Sequence, residues 1–113
     1  MNAEELKEIL RLHAEWLQDN SKGKRAFLQY ADLHSADLHG VDLRYADLRC
    51  AHLRFADLHD ANLQDAVLQG ADLQGADLRY ADLRYADLRY TYLQGADLQN
   101  AILYIGDRKV APV

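Results

Sequence analysis

From Ala26 to Ile105 one apolar position returns at a fixed interval. Every fifth residue from Leu28 to Leu103 is leucine, sixteen in all. Two positions before each leucine stands a small residue, alanine fourteen times and otherwise Val41 and Thr91. The residue between them is Asp ten times and Asn62 once. The clearest passage is Ala76 to Tyr90, where A-D-L-R-Y occurs three times in succession. An amphipathic helix needs apolar residues at a period near 3.6, and a half-buried strand at a period of 2. Five fits neither, because on a helix the apolar pair would drift around the axis and form no stripe. The spacing instead predicts a coil in which each five-residue unit is one side and the chain turns a corner after every unit. Leucine then points to the axis, the small residue packs beside it, and the other three positions face water. Periodicity of this kind dictates the fold before any single element does.

The A-(D/N)-L-x-x phrase resembles the pentapeptide-repeat proteins, over eighty of the 113 residues. The resemblance implies an all-β solenoid: a right-handed quadrilateral parallel β-helix with four pentapeptides per coil. Sixteen units then make four coils, 26–45, 46–65, 66–85 and 86–105. Residues twenty apart become vertical neighbours about 4.8 Å apart, in a stack about 20 Å tall.

The flanks divide the chain into an N-terminal helix and linker (1–25), the repeats (26–105) and a C-terminal tail (106–113). Residues 2–20 read as an amphipathic helix. Asn2 is placed to cap it, with Glu5 three residues on as in a capping box. Leu6, Ile9, Leu10, His13, Trp16 and Leu17 share a stripe, with Glu4, Lys7, Glu8, Arg11 and Glu15 on the wet side. Ser21 and Gly23 mark the stop. A repeat array needs its open end covered, so the helix is expected as a lid over the first coil, with His13 a half-buried packing residue. The alternative is a partner-binding helix. H-A-E-W-L followed by a charged, Gly-containing linker is similar to leader segments before the repeats of some family members. At the other end, Gly106-Asp107-Arg108 reads as a turn and Lys109 to Val113 as a short extended segment, halted by Pro112. Tyr90, Tyr92, Ile102, Tyr104 and Ile105 gather near this end, a crowd unusual for a plain surface. A tail of eight residues is short cover for them, and they are the candidate end for a homodimer.

Sorting the outward positions by twenty gives four faces. Only one keeps an acid at every level before the leucine: Asp37, Asp57, Asp77 and Asp97, with Asp60 beside them. Stacked like charges repel. His39, His59, Arg79 and Gln99 on the same face offer partial compensation. Asp at this place also suits side-chain to backbone hydrogen bonds at corners. The unbroken column is the candidate protein-contact face. Phe27, His52, Val67, Tyr92 and Ile102 depart from the acidic pattern, and the sequence supplies no strong account of Val67. Arg79, Arg84 and Arg89 with Tyr80, Tyr85 and Tyr90 fall on three successive faces, so they form no flat platform for stacked bases.

Charge and composition narrow the function. The formal net charge is −5, with zero on residues 1–25, −6 on the repeats and +1 on the tail. No basic patch for direct nucleic-acid binding is present. No run approaches the about 20 apolar residues of a membrane span, and the N-terminus lacks a signal peptide's apolar core; a cytoplasmic protein is expected. Cys50 is the lone cysteine, so no internal disulfide is available. Spacing suggests no Ser–His–Asp or Cys–His set and no glycine-rich phosphate loop. His39 and His59 would be vertical neighbours with Asp37 and Asp57 nearby, but no purpose-built pocket is evident. No cofactor and no metal are expected, and the chain is read as no enzyme. The leading expectation is a non-catalytic β-helical scaffold that binds another, unidentified protein through an outer face. The alternative, implied by the resemblance, is an acidic DNA mimic acting on a type II topoisomerase such as DNA gyrase. The short stack and small net charge count against it, as does leucine at central positions where those relatives carry many phenylalanines.

Overall fold

The computed structural model describes residues 1–105 and the backbone of 108–110. Gly106 and Asp107 of the expected turn, Pro112 and the side chain of Ile105 lie outside the described residues.

The five-residue period resolves into parallel pairing at an interval of twenty. Bridges join Phe27 to Asp47, Asp32 to His52, and Asp37 through Asp57 and Asp77 to Asp97. The same interval sets β1 (Asp82–Leu83) against β2 (Ile102–Ile105), with Asp82 opposite Ile102 and Leu83 opposite Leu103. Most pairings remain single bridges because each straight segment lasts about two residues before the chain bends. Hydrogen bonding still repeats from layer to layer. Leu38 N–H donates to the Asp57 carbonyl at 2.8 Å, and Asp57 N–H donates to the Ala36 carbonyl at 2.9 Å. Each bend closes on itself, as where Ala61 N–H donates to the Leu58 carbonyl at 3.0 Å.

The bends need a backbone conformation that the residue types do not advertise. Every corner residue from Tyr30 to Asn100 has positive φ, including Tyr45 (65°), Phe55 (58°) and Tyr80 (61°). For a side-chain-bearing residue this region costs roughly 1–2 kcal/mol. The regular layer bonding and the buried leucines outweigh that cost at each step.

The leucines from Leu28 to Leu83 are buried, together with the alanines from Ala46 to Ala81 that precede them. Leu88, Leu93, Leu98 and Leu103 are only partly buried. All sixteen leucines were expected in the core; the last four have a leucine layer on one side only, whereas the equally one-sided first four are backed by Leu6, Ile9 and Leu10 of the N-terminal helix. The expectation that three positions in five face water also needs correction. The residue before leucine sits half in the wall in most units, and Asp47 is buried at 3% exposure.

Helix α1 (Ala3–Gln18) forms over nearly the expected span. Asn2 caps it, its side-chain oxygen accepting from Glu5 N–H at 2.8 Å, and the Asn2 amide returns a bond to the Glu5 carboxylate at 2.8 Å. Leu6, Ile9 and Leu10 pack against the solenoid core. At the exit, Gly23 has φ 65° and lies so close to the Leu12 carbonyl and Glu15 that a Cβ would collide. That approach lets Lys24 N–H donate to the Leu12 carbonyl at 3.0 Å.

His13, expected half-buried, is in fact fully buried and clips the helix to the first layers. Its Nδ1 accepts from Ala26 N–H at 2.9 Å, and its Nε2 lies 2.9 Å from the Arg44 carbonyl. The first bond requires a bare Nδ1 and the second an Nε2–H, so the ring is the neutral Nε2–H tautomer. Trp16 stacks beside it at 5.7 Å and meets Tyr45 edge-on at 6.4 Å. At the far end, β3 (Arg108–Val110) pairs antiparallel with β2, placing Leu103 opposite Val110 and Ile105 opposite Arg108.

Two outcomes test this packing. Leu68→Ala removes a fully buried side chain in mid-stack and should destabilise the fold by about 2–5 kcal/mol. Leu98→Ala, at the half-covered end, should cost less in the same urea titration. The second outcome concerns His13. Desolvation lowers its pKa from the ordinary 6.5, outweighing the Arg44 carbonyl and Asp42, while Arg25 and Arg44 lower it further. A histidine whose pKa falls on folding contributes stability that is fully present above pH 6.5 and is lost as the pH falls below it. The emission of Trp16, the single tryptophan, should shift on acidification below pH 6.5. In His13→Ala that shift should vanish, with stability lower by about 1–3 kcal/mol from the two orphaned backbone groups.

Candidate protein-contact face

The column Asp37, Asp57, Asp77 and Asp97 is bridged level by level, so the four residues are vertical neighbours along the backbone. Each carboxylate is tied to its own corner. Asp57 Oδ1 accepts from His59 N–H at 3.2 Å, Asp77 Oδ1 from Arg79 N–H at 3.1 Å, and Asp97 Oδ1 from Gln99 N–H at 3.1 Å. At three of the four levels the side chain after leucine also returns to the same carboxylate. His39 Nδ1 bonds to Asp37 and His59 Nδ1 to Asp57, while Arg79 grips Asp77 through Nε and Nη2 at 2.8 and 2.6 Å. The compensation expected of these partners is therefore a built motif, Asp-Leu-Arg/His, that braces each bend. Asp60 stands apart from it on the corner, at φ 60°, with His59 Nε2 3.8 Å from its carboxylate.

Other faces repeat the motif with Arg44 on Asp42, Arg49 on Asp47, Arg84 on Asp82 and Arg89 on Asp87. At Phe27, His52 and Val67, where the acid is missing, the polar side chain after leucine reaches one layer on. Gln29, following Phe27, donates to Asp47 at 2.8 Å. Arg54, following His52, donates to Asp72 at 2.6 Å, and Gln69, following Val67, donates to Asp87 at 2.9 Å. Val67 thereby gains the account the sequence lacked: its unit exchanges a local brace for a tie between layers. Residue order alone does not foretell these ties, because Arg or Gln also follows the leucine in units that keep the acid, as at Arg44 and Gln74.

The candidate dimer-end residues do not form one uniform patch. Tyr90 and Tyr92 are exposed, whereas Ile102 and Tyr104 are half-buried. Tyr104 meets Tyr85 edge-on at 5.2 Å. The backbone edge of β2 is taken by β3. Elsewhere, Tyr30 and Tyr90 flank a shallow hollow floored by Cys50 and Gly70. No helix among the described residues is long and apolar enough to cross a membrane.

The Arg partners hold two carboxyls far below their ordinary value of 3.8. Side-chain hydrogen bonds from Arg79 and Arg89 are the main cause and bring Asp77 and Asp87 to about 2. A carboxyl depressed on folding contributes stability above 3.8 and loses it as the pH falls toward 2. The melting temperature should drop across that window. With Asp77→Asn and Asp87→Asn together, the slope should flatten and the melting temperature at neutral pH should fall, as read by circular dichroism.

Comparison with known proteins agrees with this architecture. Pentapeptide repeats, in eight copies, match residues 24–54, 36–75 and 66–104. A pentapeptide repeat protein of the Arabidopsis thaliana thylakoid lumen is 34% identical, with a TM-score of 0.69 over 72% of this chain and 56% of its own. Rfr23, from the cyanobacterium Cyanothece 51142, is 40% identical over 65% of this chain and 56% of its own, with a TM-score of 0.45. A pentapeptide repeat protein of Nostoc is 38% identical over 82% and 77%, with a TM-score of 0.42. The chain thus spans 56% of the length of the first two. No protein of curated function matches. The leucine ladder, the twenty-residue pairing and the matched repeats together make the chain a member of the pentapeptide-repeat family.

Proposed function

We propose that this chain is a right-handed quadrilateral β-helix of four coils, capped by α1, that acts as a non-catalytic scaffold binding another protein. The contact centres on Asp37, Asp57, Asp77, Asp97 and the corner residue Asp60. The supporting observation is how unevenly the carboxylates are engaged. The Asp77 side chain is only 28% exposed beneath Arg79, whereas Asp37 and Asp60 stand 73% and 62% exposed. Their charges project from a rigid wall and are open to a basic partner, whose approach they would steer. The same pairing disfavours the DNA mimic: arginines on Asp42, Asp47, Asp77, Asp82 and Asp87 cancel the charge that a duplex-like surface would display.

Replacing Asp37 and Asp60 together by asparagine removes the projecting charge and preserves shape. Capture of a partner from host lysate should fall with this variant, and wild-type capture should weaken as salt shortens the screening length. Undiminished capture by a variant of native circular dichroism would mean the column is structural only. Inhibition of gyrase supercoiling by the wild type, lost in the variant, would favour the mimic instead.

A further inference from the structure

We propose that His39 and His59 form a surface site for a divalent late transition metal (Zn2+, Ni2+ or Cu2+), with Asp60 as the nearest carboxylate ligand. The two imidazoles occupy equivalent places one layer apart. Their rings lie parallel within 8°, with centroids 5.2 Å apart. Each ring is turned by a carboxylate, Asp37 for His39 and Asp57 for His59, bonded at Nδ1. A carboxylate accepts, so each Nδ1 carries the proton and each neutral ring keeps its lone pair on Nε2. This is how carboxylates orient metal-binding histidines, fixing the tautomer and raising the basicity of the free nitrogen. Both Nε2 atoms thus face away from their carboxylates, side by side, and Asp60 brings an oxygen to 3.8 Å of His59 Nε2. Two imidazoles with one carboxylate suit zinc, nickel or copper rather than magnesium or calcium.

Spacing alone could place these residues near one another; parallel rings and fixed tautomers come from the structure. Coordination at about 2.0–2.1 Å requires nitrogens no more than about 4.2 Å apart. With ring centroids 5.2 Å apart, binding requires the two rings to tilt toward one another, which side chains exposed at 58% and 34% are free to do. The surrounding carboxylates help to attract the cation: ligand atoms of Asp37, His39 and Asp57, and of Asp57, His59 and Asp77, lie within 4.8 Å of one another. The molecule also carries its own control. His34 is bonded to Asp32 in the same way, but Arg54 occupies the place one layer on, so it has no second imidazole above it.

The test is calorimetric titration of the untagged full chain with ZnCl2 at pH 7.5, with Cu2+ electron paramagnetic resonance to count nitrogen ligands. One saturable site per chain and a two-nitrogen copper spectrum are expected. His39→Ala and His59→Ala should each weaken binding by about tenfold or more and leave one nitrogen. Asp37→Asn should weaken it within the roughly 10–100-fold range of orienting partners. His34→Ala should bind as wild type. The proposal is overturned if no saturable binding occurs, if either His39→Ala or His59→Ala binds as wild type, or if His34→Ala loses as much as they do. Circular dichroism of each variant excludes unfolding as the cause of a loss, since all these side chains lie on the outer wall.

Discussion

Leucine resting on leucine at an interval of twenty residues is the constraint on which everything else depends. A leucine alone buries too little to fix a bend of unfavourable backbone geometry. Stacked with one neighbour below and another above, each leucine is shielded on both sides, and each burial contributes about 1.5–3 kcal/mol. That gain holds Tyr45, Phe55 and Tyr80 in the left-handed conformation their bends require. Where the stack ends the shielding ends too, and Leu88 to Leu103 are correspondingly less covered. At the first layers α1 supplies the cover instead, and His13 gives Ala26 N–H and the Arg44 carbonyl the partners they would otherwise lack.

The polar wall follows a second rule nested within the first. An aspartate before the leucine accepts from the backbone two residues on, and the arginine or histidine at that place bonds back to it. The acid therefore serves the bend first and the surface second. Where Phe27, His52 or Val67 replaces it, the partner bonds across to the next layer. Bracing within a layer and tying between layers are alternatives open to the same side chain, and the residue before leucine selects between them.

Much of this was legible in the sequence because a strict period is a global statement made locally. The leucine axis, the alanine packing, the helix with its Asn2 cap and the acidic column all follow from counting residues. Three features were not legible, each for a physical reason. The positive φ of the corners leaves little trace in residue type, since Tyr, Asp, Cys and Gly all occupy them. The full burial of His13 depends on two backbone groups that no side-chain pattern reveals. The ties from Gln29, Arg54 and Gln69 depend on reach and direction, which spacing leaves open. On the candidate face the column was legible, but the uneven exposure of Asp37, Asp60 and Asp77 depends on where Arg79 folds, which spacing leaves open.

Pairing at an interval of twenty also restricts how such a chain can change length. Inserting one five-residue unit would preserve the leucine axis but carry every later side chain onto the next face. Asp77 and Asp97 would leave the column that Asp37 and Asp57 begin. Only a gain or loss of twenty residues keeps each face in phase with itself. Surface composition in this architecture is therefore inherited in whole circuits, and a duplication as short as A-D-L-R-Y can leave the core intact while reassigning what every wall above it displays.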